Sequence, residues 1–180
     1  MIFAKNKTSQ LIMFGLVLGG VGGSAQAADH GHGSIAFNGS IIDAPCSISP
    51  NSIEQVIELG QISNAALQAD SGTGRSDPVK FSIDLENCTF ATASSVAVTF
   101  TGSETVNGKL GVTGQAKGAG IVITDEVGNP IKLGKANPGH NIGLGNNTLL
   151  YSAYLQGEGK AENILPGNFS SVVDFTLAYN

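Results

Sequence analysis

The C-terminal stretch Gly167-Asn-Phe-Ser-Ser-Val-Val-Asp-Phe-Thr-Leu-Ala-Tyr-Asn180 alternates along its length. Phe169, Ser171, Val173, Phe175, Leu177 and Tyr179 fall on one face, and Asn168, Ser170, Asp174 and Thr176 on the other. That is the period of two of a half-buried β-strand, so the stretch predicts a sheet with a core on one side. Because the pattern runs almost to the final carboxylate, no later residues are expected to cover the strand. Its unpaired edge then calls for another segment or another molecule beside it.

At the other end, Lys5 and Lys7 precede an apolar run from Leu11 to Val21 and then Ala25-Gln-Ala27. This is the layout of a secretory signal, and about eleven apolar residues are too few to span a bilayer. Residues 1–27 are therefore expected to be a signal peptide, with Ala28 the first mature residue. The rest suits one domain with a real core. The formal net charge is −5 and becomes more negative without Lys5 and Lys7. A scattered acidic surface argues against nucleic acid or anionic lipid as a partner, since both need clustered Lys and Arg.

Both methionines lie in the leader, which leaves Cys46 and Cys88 as the sulfur-bearing residues of an exported chain. An oxidising compartment makes a disulfide the expectation. It would close a loop of about 42 residues and stabilise by about 4 kcal/mol in the chain-entropy model. A metal site is the competing reading, but His30, His32 and His140 lack ligand spacing, so no metal is expected.

From Ile35 onward the chain reads as short β-branched runs at 34–42, 56–59, 79–85, 95–100, 120–124, 131–133, 148–155 and 169–179. Between them stand turn signals such as Ser71-Gly-Thr-Gly74, Asn107-Gly108, Gly128-Asn-Pro130, Asn137-Pro-Gly139 and Gly157-Glu-Gly159. Residues 62–70 can form one or two helical turns. The expected class is all-β, a sandwich of the immunoglobulin type. The chain's 25 glycines are aperiodic and sit in turns, which excludes collagen-like and linker readings.

The segment 28–40 is the second unusual feature. Gly31, Gly33, Ile35, Phe37 and Gly39 share one face, and only Ile35 and Phe37 carry side chains of any size. Glycine inside a strand weakens it and often marks close approach of another backbone. One reading is a frayed terminus. The other is a donor segment that fills the open side of the C-terminal strand by strand addition. Insertion into the same copy gives a closed monomer, and insertion into the next copy gives an open filament.

The run Phe37-Asn-Gly-Ser-Ile-Ile-Asp-Ala-Pro-Cys46-Ser-Ile-Ser-Pro resembles the first strand of chaperone-usher pilins, especially the major rod subunits of P pili and of mannose-resistant Proteus-like fimbriae. Also similar are Leu59-Gly-Gln-Ile-Ser, Phe81-Ser-Ile-Asp-Leu-Glu-Asn-Cys88, Val98-Thr-Phe-Thr-Gly102 and the C-terminal zipper with Gly167 and Tyr179. The resemblance spans the chain after the leader.

It implies an incomplete immunoglobulin-like sandwich completed by a strand from a neighbour: first a periplasmic chaperone, then, at the outer-membrane usher, the N-terminal extension of the next identical subunit. Residues 28–40 are then the donor extension and 41–180 the pilin domain. Gly33 matches the family's donor-strand glycine, Ile35 and Phe37 its pocket-filling residues, and Gly39 closes the set. Gly31 falls where exchange begins. Gly167, Phe169, Ser171, Val173, Phe175, Leu177, Tyr179 and Asn180 correspond to the acceptor groove and the chaperone and usher recognition end. Asn180 replaces a glutamine common in the family but keeps a terminal carboxylate for the chaperone's basic cleft.

The implied function is a homopolymeric pilus rod on the surface of a Gram-negative bacterium, reached through the periplasm, supporting adhesion and joined by minor and tip subunits. The alternatives are a minor adaptor or terminating subunit, or a receptor-binding fimbrial protein. A two-domain adhesin needs a second domain of similar size, for which the length leaves no room. No cofactor is implied. Enzyme readings find no Gly-x-Ser-x-Gly elbow, His-Glu-x-x-His helix or phosphate loop. His140 lies in an Asn-Pro-Gly-His-Asn loop, and Glu104, Asp125 and Glu126 read as solvated turn or edge charges.

Overall fold

The structure is a computed structural model that describes residues 33–89 and 94–180. The expected leader, His30, Gly31 and His32 lie outside the described residues. Residues 33–40 belong to an N-terminal unit, and Ile41–Asn180 form the body of the protein.

Strand β1 (Ser47–Ile48) is followed by a short helix α1 (Pro50–Ile53), helix α2 (Asn64–Gly72), β2 (Val79–Cys88), β3 (Ser95–Gly102), β4 (Thr113–Gly114), β5 (Ala119–Thr124), β6 (His140–Asn141) and β7 (Gly145–Gly157). A single 3-10 turn (Ala161–Asn163), β8 (Phe169–Ser170) and β9 (Val173–Tyr179) complete it. One antiparallel sheet has the order β1-β2-β7-β5, a second β6-β3-β9, and β4 pairs with β8 in a small third. Two facing sheets of alternating strands are the sandwich expected of this pattern.

Register follows side-chain period. Phe81 lies opposite Tyr151 and Ile83 opposite Leu149 in the β2–β7 pair, while Ile121 meets Leu155 and Ile123 meets Ala153 in β5–β7. A slip of one residue would send all of these to solvent, so burial fixes the pairing. The second sheet contributes Val96, Val98 and Phe100 from β3, all almost fully buried. Phe100 packs edge-on to Tyr151 at 5.1 Å between centroids, and Tyr151 stacks on Phe81 at 5.6 Å. Phe100, which also meets Phe81 at 6.4 Å, thereby joins its sheet to the one that holds Phe81 and Tyr151. Leu67 of α2, Leu155 and Ile164 form a smaller cluster at one end. At the other end Cys46 and Cys88 are disulfide-bonded, with Cα atoms 4.1 Å apart.

Several expected elements differ. Residues 34–42 and 56–59 have strand-like composition but form no strand, because no neighbouring strand pairs with them among the described residues. Alternation sets which way side chains face; a ladder also needs a partner. Residues 131–133 attach only by single bonds such as Ile131 N–H to the Ile123 carbonyl. The C-terminal stretch is not one strand: β8 and β9 join different sheets, with Ser171 and Val172 between them. The helical turns expected at 62–70 are present as α2, whose Asp70 and Ser71 have left-handed backbones (φ 51° and 63°). Helix α1 and the two-residue strands β1, β4 and β6 were not anticipated, being too short to show a period.

Burial pushes the Tyr151 hydroxyl up to about 12, with the negative charge of Asp125 acting in the same direction. A phenol whose folded value exceeds its ordinary 10.0 contributes stability that is fully present below pH 10 and lost as pH rises through the folded value. Stability is therefore expected to hold to pH 10 and to fall between pH 10 and about 12. Urea midpoints across that range check this, and Tyr151→Phe should flatten the fall; an unchanged slope contradicts it.

Candidate functional site

Strand β9 is the edge of its sheet. Every residue from Val173 to Tyr179 is paired with β3, from Gly102 back to Val96, and no strand lies along its other side among the described residues. Its inward residues Val173, Phe175, Leu177 and Tyr179 pack against the main core yet are only half-buried. Phe100, Val98 and Val96, the β3 partners of Phe175, Leu177 and Tyr179, are almost completely buried, while Gly102 opposite Val173 is exposed. The difference arises because chain lies on both sides of β3, with β6 beside Ser95 and Val96 and the N–H groups of Asn137 and Gly134 donating to the Val98 and Phe100 carbonyls, whereas β9 has a partner on one side only among the described residues.

The opening beside β9 is a groove. One section, about 390 Å³, has Val173, Asp174 and Phe175 on one wall, Ile53, Ile57 and Leu59 on the other, and Phe81, Ile83, Phe100 and Ile123 in its floor. A second, about 600 Å³, continues past Gly167 and Phe169, over Leu67, Leu155 and Ile164. The two share Ile57, Leu59, Ile121 and Ser171, so they are one trough running alongside β8 and β9.

The far wall is the stretch 55–62, which lies outside any helix or strand and turns at Gly60 (φ 74°). Its residues make no backbone-to-backbone hydrogen bond among the described residues, and it is tied down by the Gln55 side chain, which donates to the Ser82 carbonyl at 2.7 Å. The trough therefore has an apolar floor and, on each flank, a row of backbone groups without partners. Buried backbone N–H and C=O groups are nearly always paired, so such a trough accommodates a β-strand better than a globular ligand.

Of the residues expected to form an acceptor groove, Gly167, Phe169, Ser171, Val173 and Phe175 line the trough. Leu177 and Tyr179 lie further along β9 against the main core, and burial raises the Tyr179 hydroxyl above its ordinary value. Asn180 closes that end: its N–H donates to the Ser95 carbonyl at 2.9 Å, and its main-chain carboxylate oxygen accepts from the backbone N–H groups of Ser94 and Ser95. Gly167 has a local reason to be glycine, since a Cβ there would sit 2.6 Å from the Gln115 Cβ and 2.8 Å from the Ala116 nitrogen. The break at Ser171-Val172 keeps phase: Phe169, Ser171 and Val173 all face inward.

Of the expected donor residues, Gly33, Ile35, Phe37 and Gly39 lie in an exposed segment outside any helix or strand, with Ile35 81% and Phe37 90% exposed; Gly31 lies outside the described residues. Sequence reading missed two features. Residues 55–62 form a wall rather than a paired strand, and composition cannot distinguish the two. Ile41 continues the spacing of Ile35, Phe37 and Gly39 and is 104% exposed, a signal that was available in the alternation.

A sandwich with its last strand missing and an open apolar trough in that place defines an immunoglobulin-like pilin fold. A family model described as "Fimbrial protein" matches residues 35–180. The chain is 47% identical to the Fimbria A protein of Serratia marcescens, covering 96% of this chain and 99% of that one. It is 50% identical to the Major MR/P fimbria protein of Proteus mirabilis, covering 93% and 95%. Among solved structures, a chaperone-usher pilus subunit superposes with a TM-score of 0.76 at 30% identity, covering 87% of this chain and all of that one. The P pilus rod subunit PapA superposes with a TM-score of 0.67 at 29% identity, covering 76% and 100%. The chain belongs to the fimbrial protein family and is a structural pilus subunit.

Phe175 sits in the trough wall with its ring 6.5 Å from that of Phe100. Phe175→Ala should destabilise the subunit by about 3 kcal/mol, the low end for an aromatic truncation because one side of the ring is open. Thr176→Ala, on the outer face, should change stability by less than about 0.5 kcal/mol. Urea unfolding of both variants checks this, and equal effects contradict the facing assigned to β9.

Proposed function

We propose that the trough beside β9 is an acceptor for a β-strand supplied in trans by the N-terminal extension, residues 28–40, of the next identical subunit, so that the chain polymerises head to tail by donor-strand exchange. The observation that carries this is the match between an apolar trough flanked by two backbone rows without partners among the described residues and an exposed segment whose bulky side chains, Ile35 and Phe37, alternate onto one face in the sequence. Ile41, on the same parity, extends the set. Burying each of these side chains contributes roughly 1.5 to 3 kcal/mol, and each new backbone hydrogen bond about 0.5 to 1.5 kcal/mol net. The inserted strand also covers the half-buried faces of Val173 and Phe175, so filling the trough completes a core as well as forming a contact.

In this reading residues 1–27 direct export, residues 28–40 are the donor extension, and a periplasmic chaperone occupies the trough until an outer-membrane usher exchanges it for the next subunit. Gly31 and Gly33 lead the donor strand, and Asn180 with Tyr179 marks the end that the chaperone grips. The product is a pilus rod at the surface of a Gram-negative cell that carries minor and tip subunits and supports adhesion.

Replacing Ile35 and Phe37 together by aspartate should abolish polymer formation while the chaperone complex still forms, because the acceptor trough is untouched. Appending a copy of residues 28–40 after Asn180 through a short turn should yield a soluble monomer. Normal fibres from the double variant, or aggregation of the fusion, would contradict the assignment.

A further inference from the structure

We propose that Asn38 is a site of spontaneous succinimide formation, and that the reaction sets a limit on how long an unassembled subunit stays competent to polymerise. The second statement rests on the donor-strand reading above; the first does not. In an Asn-Gly pair the backbone nitrogen of glycine attacks the asparagine side-chain carbonyl carbon, a C–N bond forms, and ammonia leaves. Water then opens the five-membered ring at either carbonyl, giving aspartate with a normal main chain or isoaspartate with one extra methylene in it. No oxidant, reductant or cofactor enters. The step needs a backbone free to rotate, a glycine nitrogen not held elsewhere, and a side-chain amide not held elsewhere.

The chain contains two Asn-Gly pairs, and their surroundings differ. At Asn107-Gly108 both reacting groups are engaged. The Asn107 amide donates to the Glu158 carboxylate and carbonyl, and the Gly108 N–H donates to the Thr105 carbonyl at 3.0 Å inside a tight turn with φ 79°. At Asn38-Gly39 the residues are exposed and lie outside any helix or strand, no hydrogen bond of either is found among the described residues, and a Cβ at Gly39 would meet nothing within 4 Å. Glycine without a Cβ is the residue least hindered in reaching the attack geometry.

The position gives the reaction a consequence. Asn38 lies between Phe37 and Gly39 and faces away from them, so aspartate there places a charge on the outward side of a donor strand and leaves its inward set intact. Isoaspartate lengthens the main chain between Phe37 and Gly39. Side chains on either side then cannot both keep register with a pleated partner, since register depends on strict alternation. Once the segment lies in a trough as a paired strand, its amides are held and its backbone cannot rotate, so assembly protects the residue that waiting exposes.

The test incubates unassembled full-length subunit drawn from exporting cells beside intact surface fibres and measures aspartate and isoaspartate at both sites by peptide mass spectrometry. The expected result is several-fold faster conversion at Asn38 than at Asn107 in unassembled subunit, with isoaspartate-containing chains depleted from fibres formed afterwards. Conversion at Asn38 no faster than at Asn107 overturns the proposal. Isoaspartate chains that enter fibres in proportion to their abundance overturn the limit on competence. Equal conversion of Asn38 in fibres and in unassembled subunit upholds the modification and overturns the donor-strand reading instead. Asn38→Gln, which slows the cyclisation, should lose competence several-fold more slowly relative to its own fresh value; loss at the parent's rate also overturns the limit.

Discussion

Among the described residues, strand β9 has a hydrogen-bonding partner on one side and none on the other, and the rest of the structure is organised around that asymmetry. Its seven residues are fully paired with β3, which holds the strand flat against the core and fixes which side chains face inward. The same pairing leaves the opposite row of backbone groups without partners and keeps Val173, Phe175, Leu177 and Tyr179 only half-buried. An apolar strand edge of this kind is unstable against association unless it is covered. The far wall at 55–62 has no backbone partners among the described residues either, so one inserted strand can satisfy both flanks.

The parts that look decorative hold this trough open. The disulfide between Cys46 and Cys88 anchors the start of the body to the end of β2, ahead of the wall that the chain goes on to form. The hydrogen bond from Gln55 to Ser82 keeps that wall beside β2 and away from β9. Gly167 lets the chain pass Gln115 and Ala116 closely enough for β8 to pair with β4 before β9 begins. The floor is rigid because Phe81, Phe100 and Tyr151 pack against one another across the two sheets. A rigid floor with unpaired walls selects a strand of alternating side chains.

Much of this was legible in the sequence wherever a period of two coincided with burial. The facing of Phe169 through Tyr179, the strands around Ile83, Val98, Ile123 and Tyr151, and the pairing of the two cysteines all follow from local pattern or compartment. What was not legible depends on partners. Residues 34–42 alternate like a strand and form none, and 56–59 line a wall, because composition does not say whether a neighbour exists. The break at Ser171-Val172 is invisible to periodicity because it preserves phase. Ile41 was overlooked although its spacing from Phe37 and Gly39 was in plain view.

The proposed donor-strand exchange makes completion of the fold an intermolecular event, and amide hydrogen exchange addresses it residue by residue. Exchange is compared between unassembled subunit and intact fibres, following the β9 amides that point away from β3 together with those of residues 55–62. The account predicts that both sets exchange quickly in the unassembled subunit and become strongly protected in the fibre, with residues 33–39 gaining protection at the same time. Fibres in which the outward amides of β9 exchange as fast as in the unassembled subunit would contradict it.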